Sequence, residues 1–353
     1  MQGAIDIPQE LAALEGVLFD ALPRVETIFA DQLRSDLPPV DEMCEHIERY
    51  RGKMLRPTLV ILCGMAANSK IDALLASDDR DQLVTNAHIT SAAVCEMVHM
   101  ATLVHDDVLD EAEIRRRGQT INMLKGNETS VILGDYLIAS AYELCSSLNS
   151  PVPSRIVGRA SAVMCTGELL QLHNRENLSL DEPTYIEILE RKTAALIGAA
   201  CELGALSTLG FDQSDHPITN ALTDFGRSLG IAFQIQDDVL DLLGTQETVG
   251  KSVGKDLEKG KLTYPLIHHL RNIPADDAPR SLTLIQQAAT GDCDPTVLEE
   301  LIQAIRQTGS VEATQALAAS YVQRAKNALA PIPESAGRSM LGLIADAVIS
   351  RSF

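Results

Sequence analysis

The chain has 353 residues and a formal net charge of −20, with 29 Lys and Arg against 49 Asp and Glu. That balance excludes nucleic acid as a partner, which needs a basic footprint, and gives no general attraction to anionic lipid. Hydrophobic residues make up 45% but aromatics only 3%, with no Trp, so the core is aliphatic and helix-on-helix packing is favoured over a β-sandwich.

Seven cysteines (Cys44, Cys63, Cys95, Cys145, Cys165, Cys201, Cys293) are scattered without a C-x-x-C pair. They read as reduced core thiols of a cytoplasmic protein, not as a disulfide frame or zinc site. Met1 to Glu15 carries acids and no cationic stretch, unlike a signal peptide. No unbroken apolar run reads as a membrane span; Thr193 to Gly210 comes nearest and is interrupted by Glu202.

In chain order, Ile7 to Phe29 has apolar residues at helical spacing and predicts a first helix. Gly52-Lys53-Met54-Leu55-Arg56-Pro57 follows. Pro57 suits the opening of a helix that continues through Thr58 to Ala67, because the N–H it lacks is unused there. Lys53 and Arg56 then stand at a helix N-terminus, which favours anions. Ala87 to Leu109 predicts a long apolar helix carrying His88, Glu96, His99 and His105. His99 lies two turns before an acidic run and can share its face, although a histidine among apolar residues is more often a satisfied core group.

Arg115, Arg116 and Arg117 come next, either as counter-ions to the acids or as phosphate ligands, for which Arg is well shaped. Asn122 to Asn127 reads as a loop, Thr129 to Leu148 as a helix, Ser150 to Ser154 as a linker and Arg155 to His173 as a helix with Glu168 and Gln171. Asp181 and Pro183 mark a helix start. That helix runs into Lys192-Thr193, where the lysine calls for a phosphate or a nearby Glu. Phe225 to Leu243 predicts the helix of a second acidic run. Gly250 to Asp256 and Gly260-Lys261 suggest a basic loop over phosphates; the spacing is not that of a Walker loop. The rest is helical, and no segment gives a strong β pattern.

The acidic runs are one pentapeptide written twice, Asp106-Asp107-Val108-Leu109-Asp110 and Asp237-Asp238-Val239-Leu240-Asp241, each ending an apolar helix. Residues four apart share a helix face, so Asp106 pairs with Asp110 and Asp237 with Asp241. Like charges so placed repel, and oxygen-only ligands call for a hard cation such as Mg²⁺ together with substrate phosphates.

Taken together, the motifs resemble the trans-polyprenyl diphosphate synthases of long-chain type. They are G-K-x-x-R-P, E-x-x-H before the first D-D-x-x-D, the arginines after it, Gly134-Asp135, G-E-x-x-Q from Gly167, K-T at Lys192-Thr193, F-Q-x-Q-D-D-x-x-D from Phe233, and the tail through Gly260-Lys261-Leu262-Thr263. Arg117 stands where the family usually has glycine after an arginine pair, which leaves open which two of Arg115, Arg116 and Arg117 bind, and Arg51 stands at the first glycine of the family's usual G-G-K. The resemblance implies one all-helical domain over residues 1–353, a bundle around a central cavity (the isoprenoid synthase fold), with about residues 1–10 a flexible tail. It implies a homodimer. It implies Mg²⁺, three ions with the substrate diphosphate, held by Asp106, Asp110 and Asp237, with Asp107 and Asp241 as further members. Isopentenyl diphosphate would fall to Lys53, Arg56, His99 and Arg116. The allylic diphosphate would fall to Arg115, Lys192, Thr193, Gln234, Lys251 and Lys261. Of these, Asp106, Asp110, Asp237, Lys192 and Arg115 would serve the chemistry itself.

Ala101 and Val98, five and eight residues before Asp106, are small where a prenyl chain would descend. In the resemblance this implies a product of about C30 or longer, released through transient membrane contact. A terpene cyclase or a non-catalytic partner subunit would share some features. The paired cations at Lys53 and Arg56 argue against the first, and two intact acidic clusters against the second.

Overall fold

The computed structural model describes residues 7–50, 52–116, 118–243, 254–290 and 294–350. In chain order the first helices are α1 (Ala12–Leu33), α2 (Pro38–Glu48), α3 (Leu55–Ala67), α4 (Ile71–Leu75), α5 (Asn86–Leu109), α6 (Ile121–Lys125) and α7 (Asn127–Ser146). Then come α8 (Pro151–His173), α9 (Glu182–Leu189), α10 (Ala195–Leu209), α11 (Pro217–Leu243) and α12 (Lys255–Glu258). The last are α13 (Tyr264–Asn272), α14 (Ala278–Ala288), α15 (Pro295–Gln307), α16 (Ser310–Ala328) and α17 (Ala336–Ile349). Among the described residues the only strands are β1 (Ile114–Arg115) and β2 (Gly118–Gln119), an antiparallel hairpin pairing Ile114 with Gln119 and Arg115 with Gly118. The expectation of an all-α chain therefore holds.

The chain divides into two compact units. One is drawn from Met1–Ser161, Leu196–Gly226 and Ala328–Leu343, the other from Ala162–Ala195, Arg227–Asn327 and Ile344–Phe353.

In the first unit α5 is the core helix, packed by α1, α3 and α7. It buries Ala92 through Val98, Met100, Ala101 and Val104. By length and composition α5 would pass as a membrane span, which the sequence reading did not credit to it. However, 78% of the window concerned is buried inside the protein, so it is a core helix. Its start is fixed by a capping box, in which the Thr85 N–H donates to His88 Nδ1 at 3.1 Å. His88 Nε2 then donates to Thr208 Oγ1 at 2.9 Å, and that hydroxyl donates to the Gly64 carbonyl at 2.8 Å. Burial pushes the His88 imidazole down to about 4, so it sits neutral as a tie between α5, α3 and α10. Where α10 crosses α3, a Cβ on Gly204 would meet the Val60 carbonyl carbon at 2.9 Å, so the backbones touch and only glycine fits. Of the described cysteines, Cys44, Cys63, Cys95, Cys145 and Cys201 are buried and Cys165 is exposed.

In the second unit α13 packs on α9 and α15, and α14 on α12 and α15. Buried His269 joins three of these elements through Thr308 Oγ1 at 2.9 Å and Ser281 Oγ at 3.0 Å.

Several boundaries differ from the sequence reading. Helix α3 opens at Leu55 from a left-handed Met54, φ 52°, so Pro57 sits inside the first turn, where the N–H it lacks would still find no intrahelical partner. Residues 122–127, read as a loop, are mostly α6 and the start of α7. Residues 150–154, read as a linker, are the first turn of α8, which Pro151 opens. Helix α2 was not read at all. Lys192 and Thr193 lie in a π turn, Glu190–Ala194, between α9 and α10. Residues 1–6 of the expected tail, Arg51, Arg117, Cys293 and Lys251 with its glycine-rich neighbours up to Val253 lie outside the described residues.

Gly204→Ala should destabilise the chain by about 1–3 kcal/mol, because backbone cannot swing aside as a side chain can. Chemical denaturation of the variant measures this, and an unchanged unfolding midpoint would contradict the contact.

Candidate active site

In the first unit, α5 ends in the first acidic run. Asp106 and Asp110 are half-buried, whereas the Asp107 side chain is 2% exposed. Helical geometry explains the split: Asp107 is turned about 100° from its neighbour, toward the core. There one Asp107 oxygen accepts from Arg115 Nη2 at 2.6 Å and from Nε at 2.8 Å. The sequence reading grouped Asp107 with the metal carboxylates and Arg115 with the phosphate ligands. The structure couples them to each other.

Arg116 begins the hairpin turn in the left-handed region, φ 46°, and its guanidinium donates to the Tyr50 carbonyl. A Cβ on Gly52 would overlap that guanidinium, so the glycine before Lys53 is what lets Arg116 lie over the α2–α3 connection. Lys53 is exposed. Arg56, in the first turn of α3, keeps a buried Nε with no hydrogen-bond partner. Glu96 is buried at 2% exposure and draws both Arg56 and Arg116 electrostatically. Burial, then Arg56, Arg116 and Arg115, hold the His99 imidazole well below its usual range, so it is neutral. Lys53, Arg56, His99 and Arg116 thus belong to one unit, and the last three form an electrostatically coupled group. A buried guanidinium donor left open is what an anionic oxygen would fill. Ala101 and Val98 are buried further down α5, at 0% and 1% exposure.

The second unit repeats the pattern with other partners. Asp237 and Asp241, near the end of α11, are half-buried, while Asp238 is buried. Asp238 accepts from the Tyr185 hydroxyl at 2.6 Å and from Gln234 Nε2 at 2.9 Å. Burial, with Asp256 nearby, pushes its carboxyl well above the usual range. The Gln234 oxygen in turn accepts from Thr193 Oγ1 at 3.2 Å. Asp241 fastens the returning chain: its carbonyl accepts from Gly254 N–H at 2.8 Å and its Oδ2 from Asp256 N–H at 3.1 Å. Lys192 is ion-paired with Glu168, the nearby Glu that the sequence left open as its partner. A Cβ on Gly167 would meet the Lys192 backbone nitrogen at 2.6 Å, so the Gly-Glu pair of α8 does two jobs: close approach and charge. Lys261 is half-buried, and its N–H donates to the Asp256 carbonyl at 2.8 Å.

Sequence reasoning gave no role to Tyr50, Tyr185 or Asp256, and noted Glu96 only as part of a motif. Asp256 follows Gly254-Lys255 in a charged segment, but neither tyrosine sits in a pattern that announces a polar partner.

Among the described residues no group of three or more His, Cys, Asp or Glu forms a ready metal cage. Each acidic run instead offers two outward carboxylates four residues apart. That donor set fits Mg²⁺, which takes one or two carboxylates and completes its shell with phosphate oxygens and water.

Asp107→Asn removes one charge of a buried ion pair and should cost about 3 kcal/mol or more of stability. Asp110→Asn, on the half-buried face, should cost under about 1 kcal/mol. Equal losses in denaturation experiments would contradict the inward–outward division.

Comparison with known proteins places these features. A polyprenyl synthetase family model matches residues 38–305. Heptaprenyl diphosphate synthase component 2 of Bacillus subtilis is 35% identical, covering 95% of this chain and 89% of that protein. Octaprenyl diphosphate synthase of Escherichia coli is 32% identical, covering 93% and 94% respectively. A polyprenyl synthase from Caulobacter crescentus, solved in complex with calcium and isoprenyl diphosphate, superposes with a TM-score of 0.84 at 32% identity, covering 99% of each chain.

Proposed function

The chain belongs to the polyprenyl synthetase family and is a prenyltransferase of the polyprenyl diphosphate synthase type, and on that premise we propose that it joins isopentenyl diphosphate head to tail onto an allylic diphosphate, in trans, to a product of about C30 or longer. The observation that carries this reading is the twofold acidic run, with two outward carboxylates in each copy and a separate pair of guanidiniums, Arg56 and Arg116, beside a neutral His99. One diphosphate ionises and the other is only held, so two anion sites are needed. We keep residues 1–353 as one catalytic domain.

Asp106, Asp110, Asp237 and Asp241 are assigned to the metal ions of the allylic diphosphate, three Mg²⁺ in all, with Asp107 and Asp238 holding their neighbours in place. Bound Mg²⁺ supplies charge that stabilises the departing diphosphate. Arg115, Lys192, Lys251 and Lys261 are assigned to the same anion, and Lys53, Arg56, His99 and Arg116 to isopentenyl diphosphate. In the reaction the allylic C1–O bond breaks and its electron pair leaves with diphosphate. The isopentenyl double bond forms the new C–C bond to C1, and a proton passes to the released diphosphate. Fixed cations act where this charge develops. Thr193 and Gln234 are assigned to the allylic diphosphate as well, Gln234 held by Asp238 and Thr193 by Gln234. Buried aliphatic residues of α5 exclude water from it.

Supporting a homodimer, α7 leaves Val131 and Ile132 exposed at 41% and 67%. Unpaired buried cysteines support a cytoplasmic setting. Membrane contact is reserved for release of the apolar product. The B. subtilis relative is named a component, which favours one second reading, the catalytic member of a two-part synthase.

Incubating the purified chain with labelled isopentenyl diphosphate, an allylic primer and Mg²⁺, with products read by mass spectrometry, tests the proposal. Polyprenyl diphosphates from the chain alone support it. Inactivity until a second protein is added supports the two-part reading, and a cyclised hydrocarbon from the allylic substrate alone would show a cyclase. Asp106→Ala or Asp237→Ala should each cut turnover by at least about 10²-fold, and near-normal turnover at saturating Mg²⁺ would remove the metal assignment.

Chain length rests on α5. Ala101 lies roughly 7–8 Å below Asp106 at about 1.5 Å per residue. Ala101→Tyr should therefore shift the product to short chains while sparing the first condensation. A wild-type product of C15 or C20, or an unchanged distribution in the variant, would overturn this.

A further inference from the structure

Tyr50 lies just before the basic motif at Gly52-Lys53, yet it is 1% exposed, and its ring is among the largest fully buried side chains. Its hydrogen-bond partners lie in the arginine hairpin and at the start of α6. The Tyr50 phenol oxygen accepts from Ile121 N–H at 3.0 Å, at the start of α6, just after the hairpin. The Tyr50 carbonyl accepts from the Arg116 guanidinium. His46, one turn earlier, meets the Tyr50 ring edge-on at 6.0 Å between centroids, and its Nε2 bonds the Gln119 carbonyl of β2 at 2.8 Å. One side chain and its neighbour thus tie both the hairpin turn and the exit from β2 to the end of α2.

The hairpin needs such a tie. Arg116 occupies the left-handed region at φ 46°, a conformation that disfavours residues with a Cβ and persists only where surroundings impose it. Three guanidiniums, Arg56, Arg115 and Arg116, also act together on His99. Like charges so close repel, and without an anion they tend to spread. Arg115 is restrained by Asp107, and Arg116 by the Tyr50 carbonyl. Any residue at position 50 would supply a carbonyl; only one with a buried hydrogen-bonding tip anchors that carbonyl to Ile121. Burial, with Asp107 nearby, pushes the phenol up to about 12, so it stays neutral and keeps its hydroxyl form at every working pH.

We propose that Tyr50 is a positioning residue for the isopentenyl diphosphate site, setting where the Arg116 guanidinium stands by pinning the arginine hairpin to the end of α2. This rests on the assignment of Arg116 to isopentenyl diphosphate made above.

The test is steady-state kinetics with the two substrates varied separately, alongside thermal unfolding. Tyr50→Phe keeps the ring and removes the acceptor. It should raise the KM for isopentenyl diphosphate by about three- to tenfold, as expected for one lost hydrogen bond, with the allylic KM and kcat within about twofold. Ile121→Pro removes the donor instead, at the first position of α6, where proline is tolerated and the preceding Thr120 is already extended at ψ 160°. It should reproduce the same selective rise, which keeps the test available if one variant is poorly folded. In an Arg116→Ala background neither change should add more than about twofold. Equal effects on both substrates, no effect, or a full effect persisting without Arg116 would overturn the inference. If Arg116→Ala by itself leaves the isopentenyl KM unchanged, the site assignment falls, and the role of Tyr50 with it. A loss in Arg116→Ala without one in Tyr50→Phe and Ile121→Pro removes Tyr50 alone.

Discussion

Everything at both acidic runs depends on where the middle aspartate goes. A helix cannot present three carboxylates at positions 1, 2 and 5 of a pentapeptide in one direction, so the second must turn inward. A charge sent into an aliphatic core is costly unless it is paired or donated to. In the first unit the answer is a cation, Arg115, bound twice to one oxygen of Asp107. In the second it is two neutral donors, Tyr185 and Gln234, which favour the charged carboxylate but do not outweigh burial and nearby Asp256, and these push Asp238 toward its protonated form. The pentapeptide is identical in both places, but its surroundings give it different electrostatics. Each inward aspartate also fixes the rotation of its helix, and so aims the two outward carboxylates.

The π turn at Glu190–Ala194 has a comparable role in the second unit. Such turns insert an extra residue into a helical register and often mark functional positions. Here it carries Lys192 and Thr193, and each meets a partner from a different helix: Glu168 on α8 and Gln234 on α11. Gly167 removes the side chain that would keep α8 from Lys192. A dipeptide that reads in the sequence only as part of a motif therefore has a separable physical reason for each residue.

Helix periodicity made α1, α5, α7 and most of α8 and α11 legible in the sequence, because each has a long buried stripe. Asp181 was legible as a cap, and its side chain does accept from the Thr184 N–H at 2.9 Å. Helix α2 escaped because it is short and buries only Cys44 and Ile47. The β hairpin escaped because two-residue strands leave no alternation to find. The positions of the acids and bases in the chain were legible, but their pairings were not. Asp107 with Arg115, and Asp238 with Tyr185, depend on rotation about a helix axis and on residues up to 53 positions away. Periodicity describes which face a residue is on, not which group waits there.

The distribution of sulfur has a practical consequence. Burial raises the thiols of Cys44 and Cys145 to about 11 and those of Cys63 and Cys95 further still, so little thiolate exists there to react. Cys165 is the exposed cysteine among those described, on α8 two residues before Gly167 and three before Glu168. A thiol-directed fluorophore or spin label added to the folded native chain would therefore attach there in preference to the five buried sites. With Cys293, which lies outside the described residues, replaced by serine, it would report on the helix that supports Lys192.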